Sequence, residues 1–259
     1  MPGLRRHALD VIRICDADDK SHALRHWPQG LTVDAAARWD EPAGVPGRPE
    51  RPVLRPPRQV PVRAMGTPEG RASLIHALAH IECNAMDLAL DAIWRFDGLP
   101  APYYLDWLRV AQEEALHFDL LHRHLQTMGY RYGDFDAHEG LWDMARRTQA
   151  DLLARLAVVP RILEARGLDA SPAVRHKLQS AGDRAGAQII DVILRDEIGH
   201  VAIGNHWFGW LCAQRGVPPS EQGRLLARQY GAPEPRGPFN LQARRQAGFA
   251  PEELAELGR

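Results

Sequence analysis

The sequence predicts an all-α protein, a four-helix bundle with an N-terminal arm and a C-terminal helical tail. Three observations lead there. Apolar residues recur at three- and four-residue spacing over four long segments. No segment shows sustained period-two alternation, so no sheet is expected. Four core stripes are interrupted by glutamates, two of them paired with a histidine three residues on.

The 259 residues, 45% hydrophobic and 25% charged, suit a soluble globular chain able to bury a sizeable core. A formal net charge of -1 gives no pull toward nucleic acid or an anionic membrane surface. No apolar run approaches the length of a membrane span, and Arg13 with Asp16, Asp18 and Asp19 spoils any signal-peptide pattern. Cys15, Cys83 and Cys212 are scattered and odd in number. They read as reduced thiols, neither a disulfide framework nor a zinc site, and a cytoplasmic setting is expected.

Residues 1–66 read as short helices around Ala8–Ile14 and Thr32–Arg38, followed by an arm. From Glu41 to Met65 the arm carries seven prolines, which forbid regular helix, and a basic strip of Arg48, Arg51, Arg55, Arg58 and Arg63. The bundle occupies 67–213. Thr67-Pro68-Glu69 opens its first helix: a capping hydroxyl, a proline where no N–H is missed, and an acid at the positive end. Leu74, Leu78, Ile81, Ala85, Leu88 and Ala92 follow as its apolar face, and Gly98 and Pro100 end it. The second helix spans about 102–128, with Gly129 as its stop. The third runs from about Glu139 to Arg166, kinked by Pro160 and stopped at Gly167. The fourth starts at Ser171-Pro172 and continues to about Ala213, with a break near Gly182. Residues 214–259 hold a short helix at Ser220–Gln229 and a tail packing on the bundle.

Glu82 lies four residues after Leu78 and three before Ala85, so it points with them into the core. Glu114 and His117 continue the line of Ala111, Phe118 and Leu121. Glu197 and His200 continue that of Ile193 and Gly204, and Glu164 that of Leu156 and Pro160. Buried glutamates are costly, so four of them need a common explanation. Two Glu-x-x-His matches are close to what chance supplies in a chain this rich in both residues. The force lies in the repeat, in which each motif follows a helix with a lone in-stripe glutamate at nearly the same interval. The i, i+3 spacing puts carboxylate and imidazole on one helix face. Four carboxylates and two imidazoles suffice for two divalent ions, and oxygen-rich donors without thiolate favour iron or manganese over structural zinc.

This pattern resembles the ferritin-like superfamily of di-iron carboxylate proteins, in the manner of rubrerythrin, the multicomponent monooxygenases and the tRNA-hydroxylase branch. More closely, the chain is similar to a bacterial ferritin-like family of unassigned function, on HALAHIECNAMDLALDAIWRF, EEALHFDLLHRHL, ILEARGLD, DEIGHVAIGNHWF and FNLQARRQAGF. The resemblance implies a ferritin-like four-helix bundle whose metal ligands are Glu82, Glu114, His117, Glu164, Glu197 and His200. It also implies a second layer of hydrogen bonds, from Asp196 to His117 and from Glu113 to His200, with a solvent-facing Glu113 as the alternative. The expected cofactor is a pair of Fe ions, with Mn/Fe and Mn/Mn as alternatives. The function implied is an O2-activating oxidase or hydroxylase, with an organic substrate and electron donor that the sequence does not identify and a homodimer as the default assembly. A non-catalytic iron-handling protein and an RNA- or protein-binding bundle with structural metals are the rival readings.

Other residues compete for attention. His80 is two residues from Glu82, about 200° around the helix, so it faces away with His76, Asn84, Asp87 and Asp91 as one polar stripe. That stripe is expected against the N-terminal arm or in water. His122 and His124 suit the negative end of their helix. Tyr103 and Tyr104 are expected to pack. Gly204 and its small neighbours leave room for either a cavity or close helix packing.

Overall fold

In a computed structural model the described residues are 3–61 and 63–257. Among them the regular structure is helical, with one isolated bridge, Leu54 to Ala137, and no strand. No described helix is long and apolar enough to cross a membrane. The three cysteines are free. The chain folds as two compact units, Met1–Gly140 and Leu141–Arg259.

The first unit is built on a helical hairpin. After α1 (Leu4–Ile12), α2 (Ala17–Arg25) and a 3₁₀ turn (Pro57–Gln59) come α3 (Pro68–Arg95) and α4 (Ala101–Thr127), its two long members. Thr67 caps α3 as expected, its hydroxyl accepting from Gly70 N at 3.0 Å. A tight connection with Gly98 at φ 73° reverses the chain. The last carbonyls of α3, which have no partner within the helix, are claimed from outside. Arg5, 1% exposed, donates to Ile93 O and Trp94 O, Tyr103 Oη to Ala92 O, and Tyr104 Oη to Phe96 O. The two tyrosines therefore finish a helix, consistent with the packing role read for them. α1 packs on α3 and α2 on α4.

The N-terminal helices differ from expectation. Residues 32–38 are not helical, and the second short helix is Ala17–Arg25, capped by Asp16 accepting from Asp19 N. The acids at 16–19 that spoil a signal peptide are a helix start. Ile81, assigned to the apolar face, is 45% exposed, while Ala72, Ile75, Ala79 and Met86 are fully buried.

The second unit opens with α5 (Gly140–Arg147) and α6 (Leu152–Val158), separated by a break that buried Arg155 locks through Thr148 Oγ1 and Ala145 O. A π-helical turn, Val159–Glu164, follows and runs directly into α7 (Ala165–Ser180), then α8 (Arg184–Arg215), α9 (Pro219–Gln229), α10 (Leu241–Gln246) and α11 (Pro251–Leu257). The kink expected at Pro160 is this π turn, as a missing N–H and a ring in the helix path require. The stop expected at Gly167 is absent. The helix passes through Gly167 and Pro172, and the boundary lies at Gly182, φ 82°, where Asp183 caps α8. Pro172 is tolerated because the carbonyl it cannot serve, Leu168 O, accepts from the Asn240 side-chain amide at 3.3 Å instead. Ala165, Leu168, Val201, Ala243, Ala247, Phe249 and Leu254 form a buried apolar cluster that fastens α10 and α11 to α7 and α8.

Candidate metal centre

Glu82 sits midway along α3, on its buried face. Glu114 and His117 occupy one face of α4. The hairpin brings the three together: His117 Nδ1 is 3.4 Å from Glu114 Oε2 and 3.7 Å from Glu82 Oε2. Each of the three offers a ligand atom, and these atoms lie within 4.8 Å of one another. Glu114 and His117 are fully buried and Glu82 is 4% exposed. Burial first, and the Glu114 carboxylate second, push the Glu82 carboxyl well above its ordinary range. Glu82 Oε2 is buried with no hydrogen-bond partner among the described residues.

Two carboxylates and an imidazole converging in a dry interior form an expensive arrangement by themselves. A divalent cation among them would compensate both negative charges and meet Glu82 Oε2, which has no hydrogen-bond partner among the described residues. The donor set therefore fits a metal, one imidazole and two carboxylates suiting a hard or borderline ion such as iron or manganese. This buried Glu/His cluster could hold a metal ion.

In the second unit, Glu164 ends the π turn, and Glu197 and His200 share a face of α8. His200 Nδ1 is 3.6 Å from Glu197 Oε1, and His200 is fully buried. Glu164 and Glu197 each have one carboxylate oxygen withdrawn from solvent. The six expected ligands thus fall three to each unit, with the same residue types in each. The acids preceding the motifs both make contacts on their own helices: Asp196 accepts from Arg195 at 2.8 and 3.0 Å, and Glu113 from Arg109 at 2.9 Å.

The polar stripe on the other face of α3 is buried, and the arm covers it. Lys20 pairs with Asp87 at 2.5 Å, Arg48 donates to Asn84 Oδ1 at 3.1 Å, and Arg95 holds Asp91 and Glu41. His80 bonds Tyr132 Oη at 2.8 Å and His138 O at 3.0 Å, so both ring nitrogens are engaged away from Glu82. His122 bonds Asp18 at 2.7 Å rather than serving only the helix end. Sequence reasoning assigned no buried role to the arginines of the second unit that are withdrawn from solvent, Arg155, Arg161 and Arg244, the last of which it considered only as part of a basic patch with Arg245. Arg161 could have been found, since it lies one turn before Glu164; nothing in the sequence singles out Arg244 from its neighbours.

A family profile described as "Protein of unknown function (DUF455)" matches residues 14–255. A Haemophilus influenzae protein called "Uncharacterized protein" is 49% identical over 213 residues, covering 80% of this chain and 74% of that protein. No solved structure matches. The profile spans the α3–α4 hairpin, the π turn, α8 and the tail helices together, and on that match the chain belongs to the DUF455 family.

Proposed function

We propose that the chain holds a dinuclear metal centre of the ferritin-like type, with two Fe ions ligated by Glu82, Glu114, His117, Glu164, Glu197 and His200. The observation that carries this reading is the buried trio in the first unit: two carboxylates and an imidazole within 4.8 Å of one another, with Glu82 Oε2 making no hydrogen bond among the described residues. The second unit repeats the chemistry with Glu164, Glu197 and His200. In this reading α3, α4, α8 and the π turn with α7 supply the ligands of one four-helix bundle. Asp196 and Glu113 then orient His117 and His200, fixing which ring nitrogen is free to ligate.

The activity we assign is O2-dependent oxidation or hydroxylation of an organic substrate, with an external electron donor, in a cytoplasmic protein that can pair as a homodimer. Bound ferrous ions would supply the reducing equivalents and Lewis acidity for that chemistry. The protein's part is to hold four carboxylates deprotonated beside the metals, to orient two imidazoles, and to keep bulk water out, for which the complete burial of Glu114, His117 and His200 is suited. Recruitment of nucleic acid by the arm is the weaker reading, because Arg48, Arg55 and Arg63 are engaged in ion pairs inside the first unit.

Anaerobic titration with ferrous iron, followed by O2 and visible spectroscopy, tests this. Uptake of about two ions per chain and a transient visible band after O2 are expected. Zinc alone, or no metal, would exclude the reading, and iron uptake with no O2-dependent oxidation of an added organic reductant would assign iron handling instead.

A further inference from the structure

Glu164 reaches its position on a π turn, and such a turn is held by its surroundings more than by its own hydrogen bonds. Three sets of contacts hold this one, all within the second unit. On one side the Pro160 ring lies so close to α8 that a Cβ on Gly204 would sit 2.3 Å from Pro160 Cβ. On another, Arg161, 7% exposed, donates from Nε to Asn205 Oδ1 at 2.6 Å and from Nη2 to Glu253 of α11. Its guanidinium lies over Phe208 at 4.3 Å and Phe249 at 5.5 Å. Just beyond the turn Arg244 of α10, 2% exposed, donates to Asp169 Oδ2 at 2.6 Å and to Ala165 O at 3.4 Å, and lies over Phe249 at 5.2 Å. Asn205 closes the circuit by donating to Ala247 O at 2.7 Å.

Burying two guanidiniums is a poor way to attach a tail, because apolar side chains of similar volume stabilise as well or better. What an arginine adds is direction, since its planar fork fixes both distance and angle. Each bond also lands at a short offset from a proposed ligand. Arg161 is one turn before Glu164, Ala165 is the next residue, and Asn205 lies just over a turn past His200.

We propose that the tail segment 240–253 is a clamp, and that Arg161 and Arg244 are positioning residues that set where the Glu164 carboxylate stands beside Glu197 and His200. The FNLQARRQAGF motif, which the metal reading leaves without a role, is the clamp's inner face. This inference rests on the dinuclear reading.

The test is anaerobic titration of the full chain with Co(II) as the probe ion, reading ions bound per chain, affinity and the visible ligand-field spectrum, with far-UV circular dichroism to establish folding. Glu164→Ala serves as reference and should lose about one of two ions. Folded Arg161→Ala and Arg244→Ala should bind the affected ion about 10- to 100-fold more weakly, with a shifted cobalt band. Arg161→Lys, which keeps the charge but not the fork, should resemble Arg161→Ala. Wild-type cobalt binding in Glu164→Ala would overturn the metal reading and the clamp together. A defect in Glu164→Ala with wild-type affinity and spectrum in both arginine variants would overturn the clamp alone. Should the arginine variants not fold, Glu253→Gln decides: a shifted band supports the clamp, and an unchanged band refutes it.

Discussion

At the scale of single residues, burial governs what the titratable groups do. Glu82 is raised by desolvation and by Glu114, so the folded metal-free protein holds its proton at a pH where the unfolded chain has released it. Its contribution therefore favours folding below the ordinary carboxylate range and is lost as pH rises toward the folded value. Glu82→Gln should make the metal-free protein more heat-stable near neutral pH while weakening metal uptake; calorimetry with and without metal checks both. His76 and His80 act in the opposite sense. Burial pushes each from the ordinary 6.5 down to about 4, so between those values the unfolded chain binds more protons and stability falls as pH falls. Thermal midpoints measured from pH 7 to 4 should drop accordingly, and His76→Leu should flatten part of that slope. His80→Ala should lose stability with its bonds to Tyr132 and His138 yet keep metal loading; a loss of loading in a folded variant would place it among the ligands. That Glu82 and His80 point apart was legible, because residues two positions apart on a helix are turned about 200° from each other. The depth of the polar stripe was not, since its cover comes from Lys20, Arg48 and Glu41, whose partners no local pattern announces.

At the scale of elements, α3 and α4 were readable to within a residue or two because start and stop signals agreed with the apolar period. Thr67 supplies the clearest of them, and Thr67→Ala should cost about 1 kcal/mol in chemical denaturation. The break read near Gly182 is where α7 gives way to α8, but the stretch from Gly167 to Pro172 shows where local reading fails. Gly167 and Ser171-Pro172 have the form of a stop and a start, yet Asn240, far along the chain, supplies the donor that lets the helix continue. Gly182 is the true break, since its positive φ is a conformation other residues avoid. Pro160 was legible as a disturbance, but whether a proline kinks, ends or widens a helix depends on what packs beside it, here Gly204. Gly204→Ala should destabilise by about 1–3 kcal/mol through overpacking against the Pro160 ring, and denaturant unfolding measures it.

At the scale of the whole molecule, the proposed ligand set draws three residues from each unit, so metal should protect both at once. Hydrogen exchange in α3, α4 and α8 is expected to slow together on iron addition, by roughly 3 kcal/mol at a hundredfold excess of free ion over Kd. Protection confined to one unit would show that the two trios do not share a centre. The buried Glu/His residues and their helical faces were legible in the sequence, because each interrupts an apolar stripe at helical spacing. The tail's part was visible only as a motif with no assigned task, because its contacts reach back 75 and 92 residues, to Asp169 and Arg161. That separation also has a consequence in time. A translating ribosome adds about 5–20 residues per second, so Arg161 emerges roughly 5–20 s before Glu253 exists to receive it. On the clamp proposal, the nascent chain carries Glu164 on an unbuckled turn during that interval, and tight metal capture would wait until Glu253 has been made.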